Sequence, residues 1–328
     1  MPEVICFGEA LIDFLAEPAG GRGGGPRHFV QYAGGAPANV AVAVARLGGA
    51  AAFVGMLGED MFGDFLVHSF DAAGVATDRI VRTGDAKTAL AFVSLDQNGE
   101  RHFSFYRPPA ADLLFRPEHF RENGFASAAV FHVCSNSLTE AAIADTTFAG
   151  MERARRAGAL ISVDLNLRPS LWPKDVDPRP RLWSELQRAD LVKLDRAELA
   201  FLAGPAGGES AALAAIRQGR TRFVVVTDGP APVRYWTPAA AGEVATFPIA
   251  AIDTTAAGDA FVGGLLYRLA SGGVDAEHFD AFVADEARVR EALAFASACG
   301  ALATTRHGAF AAMPGLPDVL ALLARRRA

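Results

Sequence analysis

The sequence predicts an α/β fold: a mostly parallel central sheet flanked by helices, with a small β-element beside it. Three observations carry this. Short apolar runs rich in β-branched residues, VICFG (4–8), AAFVGM (51–56), SAAVFHV (127–133), GALISVDLN (158–166), ADLVKL (189–194) and TRFVVVTDG (221–229), alternate with longer Ala-rich stretches of helical period. That alternation marks βαβ units, whose strands are covered on both faces and so read as near-continuous apolar runs. With 328 residues and 51% hydrophobic content, the chain is long and apolar enough to bury such a core.

Two stretches break the rhythm. Residues 11–32 read LIDFLAEP, a Gly-rich GGRGGGPR, then HFVQY, two strands around a loop. The glycine cluster at 20–25 is followed neither by Lys and Ser/Thr nor by a helical pattern, so a flexible loop is expected rather than a phosphate cradle. Residues 80–106 read IVRTG, KTALAFVSLD and ERHFSFYR, with Asn98 and Gly99 supplying a hairpin turn. These two stretches are expected to form the small β-element. Beyond about residue 257 the chain turns mostly helical, through AGDAFVGGLLYRLAS, DEARVREALAFASACGALATT and PDVLALLARRR.

Composition excludes several classes. A net charge of −6 and a pI near 5.7 argue against a general nucleic-acid surface, which needs a concentrated basic patch. The basic run Arg325 to Arg327 is expected to be a solvated chain end. There is no apolar run of about 18 uncharged residues, and VICFGEALIDF lacks the marks of a signal peptide, so a soluble, cytoplasmic protein without membrane contact is expected. Cys6, Cys134 and Cys299 are too scattered for a metal or disulfide pattern and are expected to be reduced and buried.

DTTAAGDAFVG, residues 253–263, carries the sharpest chemistry. Asp253, Thr254 and Thr255 are helix-capping residue types. If a helix begins near Ala257, the amides of Ala256, Ala257, Gly258 and Asp259 point outward at the positive end of its dipole, where a phosphate can bind without a cationic side chain. Asp259 then stands in the first turn, beside a transferring phosphoryl group, where a carboxylate can take the proton of an attacking hydroxyl. A second motif, GGAPANVAVAVARLGG (34–49), combines Gly34 and Gly35, which allow close backbone approach, with the amide of Asn39. GMLGEDMFG (55–63), with Asp60, suggests another ordered turn on the same side of the sheet.

Together, GGAPANVAVAVARLGGAAAFVGMLGEDMFG and DTTAAGDAFVGGLL resemble, in order and separation, the two signatures of the PfkB family of ribokinase-like carbohydrate kinases. The resemblance spans nearly the whole chain. It implies a three-layer α/β sandwich with a β-lid over the sugar, and ATP-dependent phosphorylation of a sugar alcohol. By the same resemblance Asp259 is the general base, and Gly258 with Ala256 and Ala257 forms the anion hole. Asp13 grips sugar hydroxyls, and Gly34, Gly35 and Asn39 form the sugar-binding turn. KLDRAE (193–198) resembles the segment that organises magnesium through its glutamate, here Glu198, with Lys193 and Asp195 on the nucleotide side. VTDG resembles a nucleotide turn, giving Thr227 and Gly229, and Ala298 falls on the adenine-side wall. Asp253 follows as a further metal-side residue, with a monovalent cation such as K⁺ ordering its loop. A homodimer through the lid is a further implication.

The chain departs from the family pattern in three places. Ala256 stands where Gly is frequent, a methyl that is tolerated if φ there is negative. Asp195 replaces a common Asn, and PAPVRYW follows VTDG where a second glycine is usual. For the sugar, SFYRPPAADLLF (104–115) resembles the bacterial fructokinase segment, with Arg107 set to reach the active site from the lid. VDLNLRPSLWP (163–173), with Arg168, is shared with 2-keto-3-deoxygluconate kinases, whose acid sugar an Arg fork would suit. Fructose is favoured, and ribose, nucleosides and sugar phosphates rank lower. A dinucleotide-dependent oxidoreductase is disfavoured because no strand-linked GxGxxG precedes an acidic ribose partner. A catalytically silent sugar-binding regulator is disfavoured by the retention of Asp259.

Overall fold

The computed structural model describes residues 2–16, 28–95 and 101–327. The glycine cluster at 20–25 and the Asn98–Gly99 turn lie outside the described residues. In chain order the elements are β1 (Glu3–Phe7), β2 (Leu11–Ala16), β3 (Phe29–Gly34), α1 (Ala36–Arg46), β4 (Ala50–Gly58), α2 (Met61–Ala73), β5 (Ile80–Thr83), β6 (Leu90–Leu95) and β7 (Arg101–Tyr106). They continue with β8 (Ala128–Cys134), α3 (Ala141–Arg156), β9 (Leu160–Asp164), α4 (Arg179–Leu186), β10 (Leu191–Asp195), α5 (Arg196–Ala206) and α6 (Glu209–Gln218). The last are β11 (Phe223–Thr227), β12 (Val233–Trp236), β13 (Ala241–Val244), α7 (Ala257–Ser271), α8 (Phe279–Ala284), α9 (Glu286–Ala303) and α10 (Leu316–Arg327).

The large sheet runs β13-β12-β11-β10-β9-β8-β1-β4-β5. Its strands pair in parallel from β11 through β5, and only β12 and β13 turn antiparallel at one edge. Successive residues along a strand face opposite sides. Val4 and Cys6 enter one core with α1, α7 and α9, while Ile5 and Phe7 enter the other with α3, α4 and α5. β11 splits likewise, Phe223 and Val225 against Val224 and Val226. Double coverage is why these strands carry no polar alternation.

A second sheet, β3-β2-β6-β7, stands apart. Its inner pair β2 and β6 is parallel, flanked by antiparallel β3 and β7. One expectation needs correcting here. IVRTG at 80–84 was expected in this small sheet, but β5 pairs with β4 at the edge of the large one, Gly55 opposite Ile80. Four residues of β-branched character alone do not say which sheet they extend. Asp60, expected in an ordered turn, caps α2: its Oδ1 accepts from the amides of Phe62 and Gly63 at 3.1 and 2.9 Å, and its Oδ2 from Thr88 N at 2.8 Å. That ties α2 to the entry of β6.

α7 runs unusually close to its neighbours. A side chain at Gly263 would overlap Ala43 of α1, and one at Gly264 would lie 2.7 Å from Cys299 Sγ of α9. Consecutive glycines therefore let α7 lie backbone-close to both helices. Among the described residues no single helix is long and apolar enough to cross a membrane.

Candidate active site

Parallel strands leave their carboxyl ends on one side, and there the loops after β1, β8, β9, β10 and β11 surround two adjoining cavities. The first, about 720 Å³, is lined by Glu9, Asp13, Gly35, Asn39, Arg107 and Asn136 among others. The second, about 540 Å³, is lined by Lys193, Asp195, Glu198, Thr227, Gly229 and Gly258 among others. Asn166, Arg168, Ala251, Thr254, Ala256 and Asp259 line both. Asp259 thus sits where two ligands would meet.

The Asp259 carboxylate is buried, and Oδ2 accepts a 2.7 Å hydrogen bond from Asn39 Nδ2. Burial, and next the charge of Asp164, push its pKa up to about 7, while the Asn39 bond, Lys193 and Arg168 pull it down. A carboxylate with that value can accept a proton near neutral pH. Asn39, expected to contact the sugar, spends its amide nitrogen on this residue, and its Oδ1 has no protein partner.

α7 starts at Ala257 as expected, but its cap differs. Ala256 has φ 58° and ψ 12°, left-handed rather than the negative φ that would make its methyl free of strain. The first helical bond runs from Ala260 N to Ala256 O at 2.8 Å. The Ala257 amide, expected to point outward, donates to Thr254 O at 3.3 Å. Gly258 and Asp259, in the first turn, precede any residue with an intrahelical acceptor. A cation stands by as well. Lys193 Nζ is held by both oxygens of Asp164 at 3.0 and 3.1 Å and would lie 3.2 Å from a Cβ at Gly258.

Asp253 lines neither cavity. Its Oδ1 accepts from Thr255 N at 2.7 Å and its Oδ2 from Gly308 N at 3.2 Å, so its visible work is to bind the loop before α7 to the one after α9.

Asp13, Gly35, Asn39, Arg107 and Arg168 are brought together in the lining of the first cavity. Gly34 is behind it: a side chain there would run into the Asp13 carboxylate. Gly35, with φ 105°, caps α1 against the Glu9 backbone. Burial, then the charges of Asp253 and Glu9, raise the Asp13 pKa to about 7. Arg107 reaches the cavity, yet its guanidinium is engaged: Nε donates to Asp112 Oδ2 at 2.7 Å and Nη2 to the Asn136 carbonyl at 2.9 Å.

On the other side Lys193, Asp195, Thr227 and Gly229 line the second cavity. Ala298 does not. It is buried in a cluster with Leu47, Phe247 and Phe295, and Ser297, Gly300, Ala301 and Thr304 present the α9 face to the cavity instead. Neighbouring positions on a helix differ by about 100° around its axis, so one residue separates wall from core. Glu198 and Asp195 form a reciprocal cap of α5: Glu198 Oε2 accepts from Asp195 N and Asp195 Oδ1 from Glu198 N, both at 2.7 Å. Glu198 Oε1 also accepts from Leu167 N at 2.7 Å. Burial raises the Glu198 pKa to about 7 against the pull of Lys193.

Sequence reasoning missed Glu9, Asn136, Asn166 and Asp164. Asn166 left one sign, an Asn between β9 and its loop, a residue type that tolerates the φ of 40° found there.

A buried carboxylate between two cavities, at a helix start with a tethered ammonium, is the arrangement that phosphoryl transfer would need. The chain belongs to the pfkB family of carbohydrate kinases, whose model matches residues 1–315. It is 41% identical over 320 residues to Fructokinase-1 of Zea mays, covering 98% of this chain and 97% of that one. It is also 41% identical over 320 residues to Fructokinase-2 of Solanum habrochaites, covering 98% and 95%. Among solved structures it is similar to the fructokinase with bound ATP from Xylella fastidiosa, with TM-score 0.95, 56% identity and coverage of 100% of this chain and 99% of that one. It is similar too to the fructokinase from Vibrio cholerae O395 in its fructose, ADP and calcium ion bound form, with TM-score 0.85, 34% identity and coverage of 98% and 99%.

Proposed function

We propose that this chain is an ATP-dependent fructokinase that transfers the γ-phosphoryl group of ATP to the 6-hydroxyl of fructose. The observation that carries the reading is Asp259 on the wall common to both cavities. Fructose occupies the first cavity under the small sheet, which acts as a lid, and ATP the second. Asp259 accepts the hydroxyl proton as the sugar oxygen attacks the γ-phosphorus and the bond to the bridging oxygen of ADP breaks. The amides of Gly258 and Asp259 and the ammonium of Lys193 face the charge on the transferring group. Lys193 stays protonated there, because Asp164 and then Glu198 favour its charge against the burial that opposes it.

Mg²⁺ fits the donors present. Among the described residues no group of three or more His, Cys, Asp or Glu could hold a metal alone, and Mg²⁺ takes one or two carboxylates and otherwise keeps waters and substrate phosphates. Glu198 supplies the carboxylate, with lone pairs beyond those used by the Leu167 and Asp195 amides. Bound with ATP, Mg²⁺ would neutralise phosphate charge. The resemblance to fructokinases favours a cytoplasmic enzyme paired through its lid strands.

A coupled assay of ADP release with fructose, 2-keto-3-deoxygluconate, ribose and adenosine tests the reading. Fructose is expected to give the highest kcat/KM. No sugar-dependent ADP from folded protein would overturn it.

A further inference from the structure

The small sheet is fastened to the body at the base of its β6–β7 hairpin. At the entry of β6, Thr88 N and Oγ1 donate to Asp60 Oδ2 and Oδ1 at 2.8 and 2.9 Å. Arg107 stands at the exit of β7, just before the short turn Ala111–Leu114 that holds Asp112. Its Nε donates to Asp112 Oδ2 at 2.7 Å, and Nη2 lies 2.6 Å from the same oxygen. Nη2 also donates to the carbonyl of Asn136, in the turn after β8, at 2.9 Å. The two ends of the hairpin meet where Ala111 N donates to Lys87 O at 2.9 Å.

The side chains of Arg107 and Asp112 are 1% and 3% exposed. A guanidinium so enclosed is closed to a sugar, although the sequence placed it as a sugar contact. Its planar fork instead joins two segments at once, Asp112 and the β8 turn, which the point charge of a lysine does not reproduce. Sheet register carries that attachment across the cavity. Phe105, two positions before Arg107, pairs with Ala91 of β6, and Ala91 pairs with Asp13 of β2. Phe105 and Asp13 both line the first cavity. The row that carries the Asp13 carboxylate is thus held by ladder hydrogen bonds to a strand whose end is tied to the body.

We propose that Arg107 is a positioning residue: it ties the end of β7 to the β8 turn, makes that end the fixed point about which the small sheet adjusts, and so sets where Asp13 stands over the sugar. The proposal rests on the fructokinase reading, and in it Arg107 acts through Asp13 without touching the substrate.

The test compares the unmutated enzyme with Arg107→Met/Asp112→Leu in steady-state kinetics with fructose and ATP. Removing both members of a buried pair leaves no orphaned charge between them, and Glu9, whose pKa burial raises against the pull of Arg107, can hold its proton. The double variant is therefore expected to fold with a urea midpoint near that of its parent. KM for fructose should rise roughly 10- to 100-fold, with KM for ATP unmoved. Arg107→Lys, which keeps the charge but not the fork, should show a smaller rise, and it serves if the double variant does not fold. The role through Asp13 is read from a cycle with Asp13→Ala, using the fructose Kd from calorimetry where turnover is too low. Once Asp13 is truncated, substituting the pair should weaken fructose binding little further. Losses that add in full, a parental KM for fructose in the variant, or equal rises in KM for both substrates would overturn the proposal while fructose turnover by the unmutated enzyme persists. Absence of that turnover would overturn the underlying reading as well.

Discussion

Asn39 Nδ2 donates to Asp259 Oδ2 across 220 positions of sequence, at 2.7 Å in a buried setting, and so binds the start of α1 to the start of α7. The bond orients the carboxylate and lowers its pKa against burial. Asn39→Ala is therefore expected to cut kcat roughly 10- to 100-fold through lost orientation. It should also move the acidic limb of the pH–rate profile to higher pH, since a group favouring the charged form is gone. A limb that stays in place would leave Asn39 a purely steric part of the turn.

Asp259→Asn should lower turnover by roughly two to four orders of magnitude with ATP binding largely kept. It should also stabilise the protein, with a definite pH dependence. The folded-state pKa is raised from 3.8 to about 7, so between those values the native state holds a proton that the unfolded state has released. Stability from this group therefore falls as pH rises through the window, and its penalty is complete above it. The melting temperature of the variant should exceed that of the parent most at pH 8, with the difference closing toward pH 4. A variant less stable than its parent at pH 8 would contradict this account.

Ala256→Gly relieves a left-handed alanine at the cap of α7. The strain relieved exceeds the entropy glycine adds to the unfolded chain, so a gain of about 1 kcal/mol is expected. A higher urea midpoint at unchanged slope would report it. No gain would mean that the loop relaxes around the methyl.

Glu198→Gln separates two jobs. Glutamine keeps one acceptor oxygen for the Asp195 amide but turns an NH2 donor toward the Leu167 amide, so a loss of about 1–3 kcal/mol in stability is expected, while loss of charge raises the Mg²⁺ concentration needed for half-maximal rate. A collapse in stability with unchanged Mg²⁺ dependence would make the residue a cap alone.

Much of the fold was legible because a sheet covered on both faces leaves uninterrupted apolar runs, as in FVVVT of β11. The start of α7 was legible because a helix start must offer free amides. Facing is harder. Ala298 and Ser297 differ by one position, and nothing in SACGALATT says which looks into the cavity. Glu9 and Asn136 are polar residues just past the ends of apolar strands, in FGEAL and VCSNSL, brought together by the pairing of β1 with β8. Arg107 was visible as a charge, but its neutralisation by Asp112 needed the turn between them.

The two glycines of α7 bear on which side of the cavities is held most firmly. Because Gly263 and Gly264 let α7 close against Ala43 of α1 and Cys299 of α9, Asp259 is mounted on a helix packed tightly between two others. Asp13 rides instead on a four-stranded sheet joined to the body by loops. If Asp259 takes the proton as proposed, it acts as a fixed anvil, and adjustment on substrate entry would fall to the sheet that carries Asp13.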